Sequence, residues 1–295
     1  MIKTETENRK TMAMNQKELE SAGILIDLAL QEDVGPGDVT TGHLIPAGII
    51  RRGFMVAKAD GVVAGLEVAE MVFRRFDAAF EWTPLLADGD PVRRGEVIVE
   101  FRGDYRAILT GERTALNFLQ RMSGIATEAS RYAALVVGTN TKILDTRKTL
   151  PGFRLLDKYA VRAGGAVNHR MGLYDMVMIK DNHIRVAGGI AKAVAALRSS
   201  VTPGMTIEVE TTSLDEVAEA LTAGADIIML DNMDNDTMRQ AVEMIAGRAK
   251  TEASGNMSPE RLAGVAKTGV DYISVGALTH SVRALDISQK IRGED

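Results

Sequence analysis

Five of the basic residues between positions 147 and 180 flank short apolar runs: Arg147 and Lys148 in LDTRKTLPGFR, His169 and Arg170 in VNHR, and Lys180 in MIKDN. Guanidinium groups pair with carboxylates through two parallel hydrogen bonds, and lysine adds a point charge. Brought to one place, these side chains would suit a small, multiply anionic ligand. Two carboxylates, Glu210 and Asp231, each close an apolar run further along. Such a pair at neighbouring strand ends suits Mg2+, held directly or through water and bridged to substrate phosphates. An ion network with the nearby cations is the competing reading. The segments EASGN (Ser254, Gly255, Asn256) and SVGALTH (Gly276 to His280) offer small residues where backbone N–H groups can approach a phosphate. His183 and His280 read as structural hydrogen-bonders, and His43 in TTGHLIP has no partner that can be named.

Nearly all of these residues stand at the end of a short apolar run. KILDT, MVMIKD, MTIEVE, DIIMLD, AKTEASG and YISVGA are separated by amphipathic stretches such as IAKAVAALRSS, LDEVAEALTAG and NDTMRQAVEMIAG. Continuous apolar runs alternating with helical segments indicate buried parallel strands in βα units. Six such strands can be counted. Their polar C-terminal ends select a (β/α) barrel, which builds its site from many strand ends at once. An open doubly wound sheet would gather its ligand groups at one switch point, and neither G-x-G-x-x-G nor G-x-x-x-x-G-K is present.

The first third reads differently. A helix is expected over 16–31, ended by EDVGPGDVTT; RGFMVAKADGVVAG and PVRRGEVIVEFRGD alternate as half-buried strands, with LEVAEMVFRRF helical between them. That makes a compact α+β unit ending near residue 110. From residue 111 a long helical stretch follows, expected to break at Ser123–Gly124, where the serine could cap the second half.

The 295 residues are 45% hydrophobic and 25% charged, the composition of an ordinary globular protein. A net charge of −5 argues against a nucleic-acid or acidic-lipid binder. With no cysteine, disulfides, thiolate metal sites and cysteine nucleophiles are excluded. The N-terminal twenty residues lack the apolar core of a signal peptide, and no run reaches the ~18 apolar residues of a membrane span. The expectation is a cytoplasmic protein, with roughly the first 14 residues frayed.

EDVGPGDVTT, ERTALNFLQRMSGIAT, DTRKTLPGFR, KYAVRAGGAVNHRMGLYDMVMIKDNH, IIMLDNM and ISVGALTHS together closely resemble the quinolinate phosphoribosyltransferase family, from about residue 22 to the C-terminus. The resemblance implies an α/β fold: an incomplete (β/α) barrel of six or seven parallel strands over 117–281, beside an N-terminal α+β sandwich domain over 1–116 joined by the C-terminal segment 282–295. It implies conversion of quinolinate and phosphoribosyl pyrophosphate to nicotinate mononucleotide, CO2 and pyrophosphate, with Mg2+. It further implies a homodimer with shared active sites, or a hexamer. Quinolinate would be held by Thr146, Arg147, His169, Arg170 and Lys180, with Arg113 from the neighbouring subunit. Lys148, Glu210 and Asp231 match the positions for phosphoribosyl pyrophosphate and metal, and Ser254, Gly255, Asn256 and Gly276 the phosphate cradle. The chain departs from the family where Asn256 replaces a usual glycine, and at Thr211–Thr212. Three other readings compete: the sister family of molybdenum-transport operons, a barrel lyase using Lys180 as a Schiff base, and a non-enzymatic binding role for the N-terminal unit.

Overall fold

The computed structural model describes residues 13–293. Most of the stretch expected to fray lies outside the described residues, but Met14 at its end is buried and Asn15 caps the first helix. The chain divides into two compact units. One holds the residues up to Ser130, Thr149–Gly165 and those from Leu278 onward; the other holds Arg131–Lys148 and Ala166–Ala277.

In the first unit, α1 (Gln16–Asp33) begins on a reciprocal cap, Asn15 Oδ1 accepting from Glu18 N and Glu18 Oε2 from Asn15 N. After the EDVGPGDVTT stretch expected to end the first helix, VTTGHL forms a short helix of its own, α2 (Val39–Leu44), because Asp38 accepts from both Thr40 N and Thr41 N. Then come β1 (Ile50–Ala57), β2 (Gly61–Val62), α3 (Leu66–Arg74), β3 (Glu81–Pro84), β4 (Pro91–Val92) and β5 (Val97–Asp104). An antiparallel sheet orders as β12–β1–β5–β3, its edge strand β12 (Ile287–Ile291) coming from the C-terminal end of the chain. Phe73 of α3 stacks on Phe80 at 4.7 Å and lies over Phe101 of β5, which gives this sheet an aromatic core.

The expected break at Ser123–Gly124 does not occur: α4 (Tyr105–Ala134) is one helix of 30 residues. Ser123 Oγ instead accepts from Ala64 N and donates to Ala64 O, and Gly124 admits the Arg283 carbonyl where any Cβ would collide. Local helix penalties are about 1 kcal/mol or less, and tertiary contacts override them. This unit also contains α5 (Arg154–Ala163), whose buried Asp157 receives two hydrogen bonds from Arg121.

The second unit contains all six expected parallel strands: β6 (Lys142–Leu144), β7 (Val177–Ile179), β8 (Ile207–Thr211), β9 (Ile227–Asp231), β10 (Lys250–Ser254) and β11 (Tyr272–Ser274). Between β7 and β11 the chain runs through α6 (Asp181–Ala187), α7 (Ile190–Ser200), α8 (Leu214–Thr222), α9 (Asn235–Ile245) and α10 (Pro259–Ala266); α11 (Ala277–His280) follows β11. The sheet order is β6–β11–β10–β9–β8–β7, so the first strand pairs with the last. Closure fails only at the seam between β6 and β7, where Val167 adds a single parallel bridge to Leu144 among the described residues. This is an incomplete barrel of six strands.

Register divides the strand residues between two faces. Met178 pairs with Glu208, Glu210 with Met229, Ser254 with Asp231, and Ser274 with Leu144, which puts all of them on one face. Ile179, Val209, Leu230, Ala253 and Ile273 are buried on the other. Strands two apart in a flat sheet lie ~9.6 Å from each other. Glu208 of β8 and Glu252 of β10 are two strands apart, yet they offer oxygens within 4.8 Å of one another and of His169. The face that carries them is therefore concave, the inside of the barrel. No helix among the described residues is long and apolar enough to cross a membrane.

Candidate active site

The second unit brings together Thr146, Arg147, Lys148, His169, Arg170, Lys180, Glu210, Asp231, Ser254, Gly255, Asn256 and Gly276. Arg113 is in the first unit, exposed on α4. The strands end where their alternation turns polar, so the inner-face residue at each C-terminal end faces the mouth.

After β6, Thr146 Oγ1 accepts from Lys148 N at 3.0 Å, tightening the turn that carries half-buried Arg147 and exposed Lys148. The buried Asp145 anchors the opposite segment, accepting from Asn168 Nδ2 at 2.7 Å and from His169 N at 2.8 Å. Arg170 donates to Met176 O at 3.1 Å, and its pKa is lowered by burial and by the charge of Arg147. The Arg147 charge is offset only in part by the carboxylates of Glu208 and Asp175, which act on Arg170 in the opposite direction.

At the end of β7, Lys180 Nζ lies 3.0 Å from Glu210 Oε2 on β8, and His183 Nδ1 accepts from Lys180 N at 3.0 Å. His183 thus shapes the turn. The Schiff-base alternative requires a lysine desolvated in an apolar pocket, whereas the Lys180 side chain is 47% exposed and ion-paired. Asp231 closes β9, where Asn232 Nδ2 donates to its Oδ2 at 2.7 Å. The departing threonines face elsewhere: Thr211 Oγ1 donates to Met229 O, and Thr212 donates through N and Oγ1 to Glu216. Neither adds an oxygen to the Glu210–Asp231 pair.

The loop after β10 is set by left-handed backbone. Asn232, Gly255 and Asn256 have φ of 54°, 92° and 48°. Asparagine tolerates this region, which is how Asn256 serves at a usual glycine position. A Cβ on Gly255 would strike the Asn232 side chain, and Arg261 of α10 holds the loop from behind by donating to the carbonyls of Gly255 and Met233. Gly276 lies two residues past the end of β11 and leads into α11. His280 bonds to Ser281 Oγ, and His43 to Val39 O.

Two residues escaped the sequence reading. Glu208 and Glu252 are completely buried inside the barrel, with His169 Nε2 3.1 Å from one carboxylate and 3.2 Å from the other. A single N–H cannot point at both, and neither carboxylate meets full hydrogen-bond geometry with it. Burial works against a charged ring, but the two carboxylates outweigh it and push the His169 pKa up to about 10. Burial, then the Glu252 charge, raises Glu208 to about 7. His169 Nδ1 already accepts the Arg170 backbone N–H at 2.7 Å. That donor at Nδ1 leaves Nε2 as the ring nitrogen that carries the proton, facing the two carboxylates. The signal for both residues was available: each lies two positions before a mouth residue on its own strand, on the same face.

A parallel barrel with cations, two carboxylates and a tight glycine-containing loop at its strand ends has the site layout of a barrel enzyme. The N-terminal domain of quinolinate phosphoribosyl transferase matches residues 38–123, and the C-terminal domain of the same family matches residues 125–290. A quinolinate phosphoribosyltransferase (decarboxylating) of Nicotiana glauca is 46% identical, covering 92% of this chain and 82% of its own length. A probable nicotinate-nucleotide pyrophosphorylase (carboxylating) of Bacillus subtilis is 44% identical over 88% of this chain and 90% of its own. Among solved structures, the nicotinate-nucleotide pyrophosphorylase of Francisella tularensis superposes with a TM-score of 0.90 at 42% identity, covering 92% of this chain and 96% of that one. NadC of Streptococcus pyogenes gives 0.91 at 40%, covering 96% and 99%. The chain belongs to the quinolinate phosphoribosyltransferase family.

Proposed function

We propose that the protein is a type II phosphoribosyltransferase of de novo NAD biosynthesis, converting quinolinate and phosphoribosyl pyrophosphate to nicotinate mononucleotide, CO2 and pyrophosphate. The observation that carries this reading is the convergence of Arg147, Arg170 and Lys180 on one barrel mouth next to Glu210 and Asp231. Quinolinate brings two adjacent carboxylates, and its charge relieves the Arg147–Arg170 repulsion. His169 completes this pocket, and Thr146 fixes the turn that presents Arg147. A dicarboxylate that engages Lys180 also releases Glu210 from its ion pair. Holding the ring nitrogen against ribose C1 turns a bimolecular step into an intramolecular one, worth up to ~7–11 kcal/mol of barrier.

Lys148 would hold the pyrophosphate end, and Ser254, Gly255, Asn256 and Gly276 would cradle the 5′-phosphate. Glu210 and Asp231 fit Mg2+: they are oxygen donors on adjacent strands at an exposed edge, each tied through one oxygen. Such an ion stabilises the charge that develops on departing pyrophosphate. Once the ring nitrogen is quaternised, the ring carbon beside it keeps the electron pair of the breaking bond to CO2 and then takes a proton from water to give the C–H of the product, so no dedicated decarboxylating residue is assigned. The homodimer, with Arg113 of a second subunit entering the site, is supported by the exposure of Arg113 on α4. A cytoplasmic location is supported by the absence of cysteine.

Nicotinate, which lacks the second carboxylate, tests the reading. With quinolinate, one pyrophosphate should appear per nicotinate mononucleotide; equal turnover of nicotinate would overturn the two-carboxylate site. Gly255→Ala is expected to cost about 1–3 kcal/mol of stability through its left-handed backbone. It should raise KM for phosphoribosyl pyrophosphate at least fivefold while leaving KM for quinolinate within twofold, by thermal melts and steady-state kinetics.

A further inference from the structure

Glu208 and Glu252 have no role in the chemistry above, yet a pair of buried carboxylates is costly unless something holds it. Both are fully buried and converge on His169 from strands two apart. The other side of the ring is equally fixed. His169 Nδ1 accepts the Arg170 backbone N–H at 2.7 Å, and a backbone amide can only donate. Nδ1 therefore carries no proton, and the ring's proton must be on Nε2, between the two carboxylates. The same segment is pinned by Asp145, which accepts from His169 N and Asn168 Nδ2, and by the Arg170 donation to Met176 O. Two barrel strands and the residue directly after a third thus bring buried carboxylates to one tripeptide, Asn168–Arg170.

We propose that Glu208 and Glu252 are positioning residues: with their carboxylates 3.1 and 3.2 Å from His169 Nε2, they hold the ring's proton on that nitrogen and, through the His169–Arg170 peptide, aim the Arg170 guanidinium at the substrate carboxylates. One imidazole and two carboxylates also form the outline of a divalent-cation site. A metal on Nε2 would need that nitrogen's lone pair, moving the proton to Nδ1, where it would face the Arg170 N–H donor to donor. The hydrogen bond at Nδ1 decides for the proton. This inference rests on the reading that His169 and Arg170 hold quinolinate.

The test uses the full-length protein. Glu208→Met and Glu252→Met keep the side-chain length and remove the acceptor, while Glu252→Gln retains one. Replacing buried charge by apolar groups of similar volume is often neutral or stabilising, so the Met variants should fold with Tm unchanged or higher. KM for quinolinate should rise tenfold or more with KM for phosphoribosyl pyrophosphate within twofold, and Glu252→Gln should recover most of that loss. The 15N imidazole shifts of the wild-type protein, with His169 assigned by difference among four histidines, should show the neutral Nε2–H form. An imidazolium or an Nδ1–H ring in the wild type overturns the proposal even if a Met variant does not fold. So does a Met variant that loses Tm and activity together, with an unshifted His169 and both KM values raised alike. Arg170→Ala separates the two readings: if it leaves KM for quinolinate unchanged, the site assignment itself fails, whereas a raised KM there beside inert Met variants removes only the positioning role.

Discussion

Arg147→Ala should lower kcat/KM for quinolinate by roughly 30- to 5,000-fold, the equivalent of the about 2–5 kcal/mol lost when one partner of a desolvated charge pair is truncated. The size follows from what Arg147 faces. It shares the mouth with Arg170, whose pKa is lowered by burial and by the Arg147 charge, so the free protein holds two cations in mutual repulsion. The substrate's carboxylates are the natural counter-ions, and an alanine leaves one of them without its guanidinium. Folding should hardly notice. Arg147 stands past the end of β6 and only half-buried, and its removal relieves like-charge repulsion. A Tm change within about 4 °C is expected, since 1 kcal/mol shifts Tm by about 2–4 °C in a domain of 150–250 residues. Unchanged kcat/KM would remove Arg147 from the site.

The second large effect belongs to the carboxylate pair. The double variant Glu210→Gln, Asp231→Asn should reduce kcat/KM for phosphoribosyl pyrophosphate at least about a hundredfold, the scale of losing one preorganised electrostatic group at a developing charge. It should also abolish most of the Mg2+ dependence of the remaining rate. Quinolinate binding should move the other way. Lys180 is 3.0 Å from Glu210 in the free protein, and without that anion it is available to the substrate. Calorimetric titration with quinolinate alone should therefore give affinity equal to or tighter than wild type. Weaker quinolinate binding, with Mg2+ dependence intact, would return the two carboxylates to a purely structural ion network.

The barrel was legible in the sequence because its strands are buried on both faces and so announce themselves as apolar runs, each with its polar end. MVMIKD became β7 with Lys180 at its tip, and DIIMLD became β9 closed by Asp231. What escaped depended on contacts far apart in the chain. Ser123–Gly124 carries a local breaking signal, but in the fold the serine binds Ala64 and the glycine seats the Arg283 carbonyl, so the helix runs through. The α2 helix was hidden in a segment rich in threonine and glycine until Asp38 was seen to cap it. Glu208 and Glu252 were hidden differently: buried glutamates are rare, and only the convergence of β8 and β10 on His169 makes them compatible with the interior. At the mouth, residue types and strand-end positions could be read directly, whereas the direction of the His169 ring required the fold.

The central claim is that this mouth quaternises quinolinate and thereby releases its carboxylate. Quinolinate labelled at the carboxylate next to the ring nitrogen, incubated with the protein and Mg2+, should release labelled CO2 only when phosphoribosyl pyrophosphate is present, in a one-to-one ratio with pyrophosphate. Release without phosphoribosyl pyrophosphate, or pyrophosphate formed with the label retained in the product, would contradict it.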